Sequence, residues 1–320
     1  MTGFFKGLRF FIQITEKDIS HVRVTFFNKI HISFRKREFE KRKKEAFKIF
    51  RYYKKNNIDI TTYPKATGVL RDVQLAGLEI LKEVDYVCQS EGIDYWLDFG
   101  TLLGAIRHKG FIPWDDDIDI GMPREFYKNF IDIFNEKTRN KKIRAKYFRK
   151  SSNYDSYFVR IEYSGTILSL DIFPYDFCGE ILDEKTREER NNFLKTRRKA
   201  YIENIACKKG LTDEEIQEKI KNLRKEILMR GEYKKDSKTD LVWGVDFRHQ
   251  WKQWFHKYDT IYPLQKVSVE GYEFNCPNNY DTHLKSIYGN YMSYPKDKHT
   301  HSAYRISQEE LRIIKESIKV

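Results

Sequence analysis

The run Trp114-Asp115-Asp116-Asp117-Ile118-Asp119-Ile120-Gly121 decides how this chain is read. In an extended strand successive side chains point to opposite faces, so residues two apart share one. The pattern predicts a strand over residues 117–121, with Asp115, Asp117 and Asp119 on one face and Ile118 and Ile120 on the other. The apolar face belongs to a core. The acidic face needs water or a cation, because neighbouring carboxylates repel and are not buried unpaired. Hard divalent cations such as Mg²⁺ take oxygen ligands. Two carboxylates one strand repeat apart can hold one such ion while phosphate oxygens complete its shell. The plainer alternative is a solvated acidic loop.

Three neighbouring features weigh against the plainer reading. Upstream lies Phe99-Gly100-Thr101-Leu102-Leu103-Gly104, a glycine-threonine pair between a strand and a helix. Backbone N–H groups at a helix N-terminus make a ready site for phosphate. Arg107, His108, Lys109 and Arg124 flank the acidic run on both sides, and Arg107, Lys109 and Arg124 are candidate phosphate contacts; phosphoryl transfer calls for such charge. Downstream, Asp171 stands alone in the apolar run Leu168-Ser169-Leu170-Asp171-Ile172-Phe173-Pro174. A carboxylate there is costly without a partner, and an ion held by a neighbouring strand would supply one.

Working outward, Leu70, Val73, Gly77, Leu78, Leu81, Val84 and Cys88 recur at helical spacing, and Gly92 ends that helix. A strand is expected at Tyr95–Leu97, a helix from Thr101 to His108, and a further helix with Pro123 at its first position, carrying Phe126, Tyr127, Phe130, Ile131 and Phe134. Strands are expected at Ile143–Phe148, Tyr157–Tyr163 and Ile167–Phe173, the last closed by Pro174 and Asp176. Residues 181–240 read as a charged helical insertion. Trp243, Trp251 and Trp254 restart an apolar pattern, a hairpin turns at Glu270-Gly271, and a helix from Gln308 to Ile318 closes the chain. Helices around a small mixed sheet give an α/β (α+β) class.

The 320 residues suffice for one large domain or two small ones, and 33% charged against 40% hydrophobic residues is a globular balance. The net charge of +13 is local. Residues 35–55 hold eleven Lys/Arg against three Glu, a net of +8. Such a block seeks a polyanion, either a nucleic acid or an anionic membrane face. Phe4, Leu8, Phe11 and Ile12 share one helical face. Residues 1–62 therefore read as a basic aromatic extension, either an interfacial helix with a second basic anchor or an ordinary packing helix followed by a charged one. Residues 63–320 are expected to form the domain that carries the acidic run, with residues 181–240 as its insertion. No transmembrane helix is expected. Cys88, Cys178, Cys207 and Cys276 are far apart and read as reduced thiols, which suits the cytosol.

The stretch from Tyr95 to Arg124, with Asp171-Ile172-Phe173-Pro174 and the later run Leu284 to Pro295 followed by His299 and His301, resembles the LicD family of phosphocholine transferases, whose core fukutin-related proteins share. The glycine-threonine pair and three carboxylates also resemble the layout of the nucleotidyltransferase superfamily, although the Gly100 to Asp117 gap is longer than usual there. The resemblance implies a nucleotidyltransferase-like fold. It implies transfer of a phospho-alcohol from a CDP-alcohol donor such as CDP-choline to a hydroxyl of a cell-surface glycan or teichoic acid precursor, releasing CMP. Asp117, Asp119 and Asp171 match the family's metal-binding positions for Mg²⁺ or Mn²⁺, with Asp171 alternatively a base. Gly100 and Thr101 match its phosphate loop. The zinc-binding cysteines of some eukaryotic relatives are absent, which implies the bacterial type, placed at the inner face of the plasma membrane with a lipid-linked or wall glycan as acceptor. Competing readings are a nucleotidyltransferase using CTP or ATP and releasing pyrophosphate, a glycosyltransferase with an Asp-x-Asp motif, and a nucleic-acid-binding module on the basic block.

Overall fold

A computed structural model of the chain describes residues 12–18, 21–26, 30–35, 48–149, 157–179, 183–189, 210–228, 238–244, 255–295 and 306–318, with positions 181, 192 and 235. The expected interfacial helix over Phe4, Leu8 and Phe11 lies outside these residues, as do Cys207, Trp251, Trp254, His299 and His301. Ile12, placed on that helix, opens a strand instead. Strands β1 (Ile12–Asp18), β2 (His21–Phe26) and β3 (Ile30–Arg35) form an antiparallel meander. The period-two alternation of Ile12, Ile14, Val22, Val24, Phe26, Ile30 and Ile32 carries this; the basic and aromatic composition masks it. Residues 48–55 are helical.

Helix α1 (Val69–Ser90) follows the predicted spacing, and Leu70, Val73, Leu78, Leu81, Val84 and Cys88 are all buried. Gly92 stands just beyond it at φ +63°, a backbone that L side chains rarely take. Next come β4 (Trp96–Leu97), α2 (Phe99–His108) and β5 (Asp119–Pro123). Strand β5 starts two residues later than the alternation suggested. Ladder pairing begins at Asp119, and Asp115 closes a turn by donating its N–H to the Ile112 carbonyl at 3.0 Å. The helix expected at Pro123 is two short ones, α3 (Arg124–Tyr127) and α4 (Phe130–Lys137). Asn129, at φ −105° and ψ 2°, breaks the helical backbone between them. Pro123 itself ends β5 and stands before α3 rather than at its first position.

Strands β6 (Ile143–Arg149) and β7 (Tyr157–Tyr163) fall where expected. Strand β8 (Ser169–Phe177) runs through Pro174 and Asp176 instead of stopping there. Along one edge β7 pairs with Ser169–Ile172, and β9 (Leu241–Trp243) pairs with Tyr175–Phe177. Pro174 sits at the seam between these two partners, and its carbonyl accepts from the Gly244 N–H at 2.8 Å. Its missing N–H therefore falls where neither strand reads the ladder. The sheet order is β10 (Phe255–His256), β9, β8, β5, β4, with β7 and then β6 added beside β8. Strands β5 and β8 are parallel, and the other pairings in this sheet are antiparallel.

The inserted region carries α5 (Asp213–Leu228). After the short α6 (Tyr258–Ile261), β11 (Gln265–Val269) and β12 (Tyr272–Cys276) form the expected hairpin. Glu270 and Gly271 both take positive φ, 52° and 88°, as a two-residue primed turn requires. Helices α7 (Tyr280–Tyr288) and α8 (Gln308–Ser317) complete the domain, α7 against α2 and α8 against α1.

Candidate functional site

The parallel ladder sets Asp119 of β5 directly beside Asp171 of β8. The head of α2 closes over this pair. Thr101 Oγ accepts the Asp119 N–H at 2.8 Å, which pins the first residue of β5 to the glycine-threonine turn. The hydroxyl keeps its proton to donate elsewhere. Gly100 faces Asp115: a Cβ there would stand 2.7 Å from Asp115 Oδ2, a separation real side chains do not tolerate. Phe99 takes φ 42°, the left-handed region that a bulky residue adopts only under constraint. The chain thus bends hard at the turn whose Gly100 faces a carboxylate.

These carboxylates act on one another. Burial pushes Asp119 well above the usual carboxylate range, and the charges of Asp117, Asp171, Asp115 and Asp98 push it further. Asp115 is raised the same way, by burial and then by Asp117, which also hydrogen-bonds to it. Asp171 is raised by burial, against the pull of Arg160. Although Asp117 precedes the ladder, it still joins the group. Asp115, by contrast, stands in the turn that leads into the strand.

Among the described residues, no three His, Cys, Asp or Glu side chains are already arranged as ligands of an ion. The donor chemistry nevertheless fits a hard divalent cation. It offers carboxylate oxygens, desolvated and mutually repelling, and a bound cation would relieve that repulsion. Both Asp171 oxygens are taken by the Arg160 guanidinium, Nε to Oδ1 at 2.6 Å and Nη2 to Oδ2 at 2.8 Å.

The predicted basic set divides. Arg124 forms a buried fork with Asp176 at 2.9 and 2.8 Å. Arg107 donates to the Tyr291 carbonyl at 2.6 Å and to His108 Nε2 at 3.0 Å, and burial lowers its pKa to about 10. Burial and the neighbouring Arg107 push His108 down to about 3, so its ring is neutral. Lys109 caps α2 in the left-handed conformation with an exposed side chain.

Sequence reasoning missed four residues here. Asp98, fully buried, receives the Phe99 N–H at 2.9 Å, the Tyr175 hydroxyl at 2.6 Å and His283 Nε2 at 2.8 Å. His283 in turn stacks on His256, ring centroids 4.3 Å apart. Tyr288, the last residue of α7, stands beside the carboxylates. Burial and the charges of Asp119, Asp115, Asp98 and Asp117 hold its phenol well above the usual range, yet the residue is 42% exposed. Arg160 is the fourth. Asp98 and Tyr288 lie inside runs already singled out, so a polar residue at a predicted helix start was a usable signal for Asp98; nothing local marks Arg160 or His283.

Residues 92–210 match the family model described as the LicD/FKTN/FKRP nucleotidyltransferase domain. The lipopolysaccharide cholinephosphotransferase LicD of Haemophilus influenzae is 30% identical over 264 residues, 73% of this chain and 97% of that protein. The ribitol 5-phosphate transferase FKRP of mouse, and that of human, is 32% identical over 98 residues, 30% of this chain and 20% of the relative. Given a relative matched over nearly its whole length and a family model that spans the glycine-threonine turn and the carboxylates, the chain belongs to the LicD family.

Proposed function

We propose that the chain transfers a phospho-alcohol group from a CDP-alcohol, CDP-choline first among them, to a hydroxyl of a cell-surface glycan or teichoic acid precursor. The observation that carries the reading is the Asp119–Asp171 pair beneath the Gly100-Thr101 turn. The names of the two relatives, one a cholinephosphotransferase and one a ribitol 5-phosphate transferase, support the class of group moved.

Asp117, Asp119 and Asp171 would hold Mg²⁺ or Mn²⁺, which when bound offsets the charge on the phosphate oxygens. Gly100 and Thr101 offer N–H groups and a hydroxyl to the donor's diphosphate. Lys109 is an exposed cation at the opposite end of α2 from that turn, where its carbonyl accepts the Glu270 N–H, so it is the least placed of the set to meet the same phosphates. Arg107 and Arg124 serve the phosphates by holding the walls in place. The acceptor hydroxyl oxygen attacks the phosphorus bearing the alcohol. One P–O bond forms, the bond to the CMP oxygen breaks, and CMP leaves with that electron pair. The hydroxyl proton passes to a carboxylate of the cluster, for which Asp171 is the named candidate.

Residues 48–55 present Ile49 and Tyr52 to solvent beside Lys48, Arg51, Lys54 and Lys55. Among the described residues, no helix is long and apolar enough to cross a membrane. An aromatic and basic surface of this kind suits peripheral contact with anionic lipid at the cytoplasmic face of a bacterial membrane, where a lipid-linked acceptor would be met. Nucleic acid is the less suited polyanion, since the exposed apolar pair adds nothing to phosphate binding.

The test is CMP release from CDP-choline, CDP-ribitol, CDP-glycerol and CDP-ethanolamine with Mg²⁺ or Mn²⁺, using bacterial glycan extract as acceptor and Asp119→Asn as control. Metal-dependent CMP from one donor, lost in the variant, is the expected result. No CMP from any donor, with pyrophosphate released from CTP or ATP instead, would overturn it.

A further inference from the structure

Arg160 is the cation nearest the carboxylates that the reaction scheme leaves without a role. Three observations describe it. First, its fork engages both oxygens of Asp171, so neither is left wholly to another ligand. Second, the guanidinium carbon lies 3.6 Å over the Phe148 ring and 5.4 Å from the Phe158 ring. Stacking on an aromatic face holds a guanidinium by its plane and leaves the direction of its N–H fork adjustable. Third, the pair sits at the rim, with side-chain exposures of 21% for Arg160 and 16% for Asp171.

The contrast with Arg124 and Asp176 decides what kind of pair this is. That fork has similar distances but exposures of only 6% and 3%. Breaking it would strand a charge in the interior. Breaking the Arg160 fork leaves two groups that both already reach solvent in part. A guanidinium fork also matches two phosphate oxygens as well as it matches a carboxylate.

We propose that Arg160 has two alternate partners, Asp171 in the ion-free protein and the donor's phosphate once a divalent cation takes Asp171. This rests on the metal-dependent transferase reading. Paired with the Arg160 fork, Asp171 repels Asp119 less. A cation held by Asp171 would release the fork, which would then be free to take two phosphate oxygens of the donor. The exchange couples the two ligands: cation binding frees the group that grips the donor, and the donor rewards cation binding equally.

The experiment is Mn²⁺ titration by electron paramagnetic resonance, without nucleotide, on the full chain and on Arg160→Met, Arg160→Lys and Asp119→Asn. CDP affinity is then measured by calorimetry at saturating Mn²⁺. Removing a competitor for a ligand tightens the competed equilibrium. Arg160→Met should therefore bind Mn²⁺ roughly fivefold to tenfold more tightly and CDP about tenfold more weakly. Arg160→Lys keeps the charge without the fork, so it moves both constants in the same directions by less. If Arg160→Met fails to give a cooperative melt, Arg160→Lys decides alone. Unchanged or weaker Mn²⁺ binding in the folded Arg160 variants, or unchanged CDP binding, would overturn the exchange while sparing the metal reading. Absent Mn²⁺ binding in the parent chain, or binding that Asp119→Asn leaves intact, would overturn both.

Discussion

His283 Nε2 lies 2.8 Å from Asp98 Oδ1, joining positions 185 residues apart, both fully buried. Through this bond α7 grips the residue that caps α2, and with it the turn that carries Gly100 and Thr101. Asp98 has two further bonds to the Tyr175 hydroxyl and the Phe99 N–H, so the turn's left-handed Phe99 is held from several sides.

Replacing His283 with Ala should therefore lower stability by about 1–3 kcal/mol, the cost of leaving a buried acceptor short of a partner. CMP release should fall more than tenfold even where the protein stays folded, because the turn loses its brace. Thermal melting beside steady-state rates separates the two effects. A loss of stability with unchanged turnover would deny the brace any role in the site.

Gly100→Ala tests the close approach of the turn. Its Cβ would meet Asp115 Oδ2 at 2.7 Å, so the carboxylate must move. The helix start tolerates Ala, and the stability change should stay within about 1–2 kcal/mol. Activity should drop by two orders of magnitude or more, as misplacement by about an ångström does. Circular dichroism melts and CMP release check this.

Arg124→Ala should cost about 3–5 kcal/mol by stranding Asp176 in the interior. The double change Arg124→Met with Asp176→Leu should recover most of it. Urea unfolding measures both. A folded double variant with an unchanged KM for the donor would show that Arg124 holds structure and touches no phosphate.

The pH dependence of stability has two limbs. Asp115 and Asp119 are raised in the folded protein, so there they bind protons more tightly than in the unfolded chain. Their stability is fully present below the unfolded value near 4 and is lost as pH rises above it. Glu270 is pulled down to about 2 by Arg71 and Lys65 against its burial, so its contribution is present above about 4.5 and lost as pH falls towards 2. The metal-free melting temperature should decline from mildly acidic to neutral pH. Added Mn²⁺ should raise it more at neutral pH than at mildly acidic pH, since the cation must displace protons. Melting curves against pH, with and without Mn²⁺, decide it. An equal Mn²⁺ effect at both pH values would mean that the ion does not bind these carboxylates.

Much of the fold and of the site is legible in the sequence itself. Helix α1, the ends of β7 and the turn at Glu270-Gly271 follow from local spacing and glycine placement. The acidic run and the glycine-threonine pair stand out by residue type and order. Local rules fail where a partner overrides them. Pro174 reads as a stop because proline lacks an N–H, but the seam between β7 and β9 excuses it. Residues 12–18, 21–26 and 30–35 read as part of a charged extension, yet they pair as strands.

By itself the sequence determined the residue types and their order: a core-facing Ile118 and Ile120, acids between them, a glycine-threonine turn upstream, and a family likeness over those positions. Only the tertiary structure decided who meets whom. Asp119 beside Asp171, Arg160 on Asp171, and His283 on Asp98 are separated by 52, 11 and 185 positions. Such pairings depend on strand register and on packing summed over the whole sheet, which no short window of residues contains.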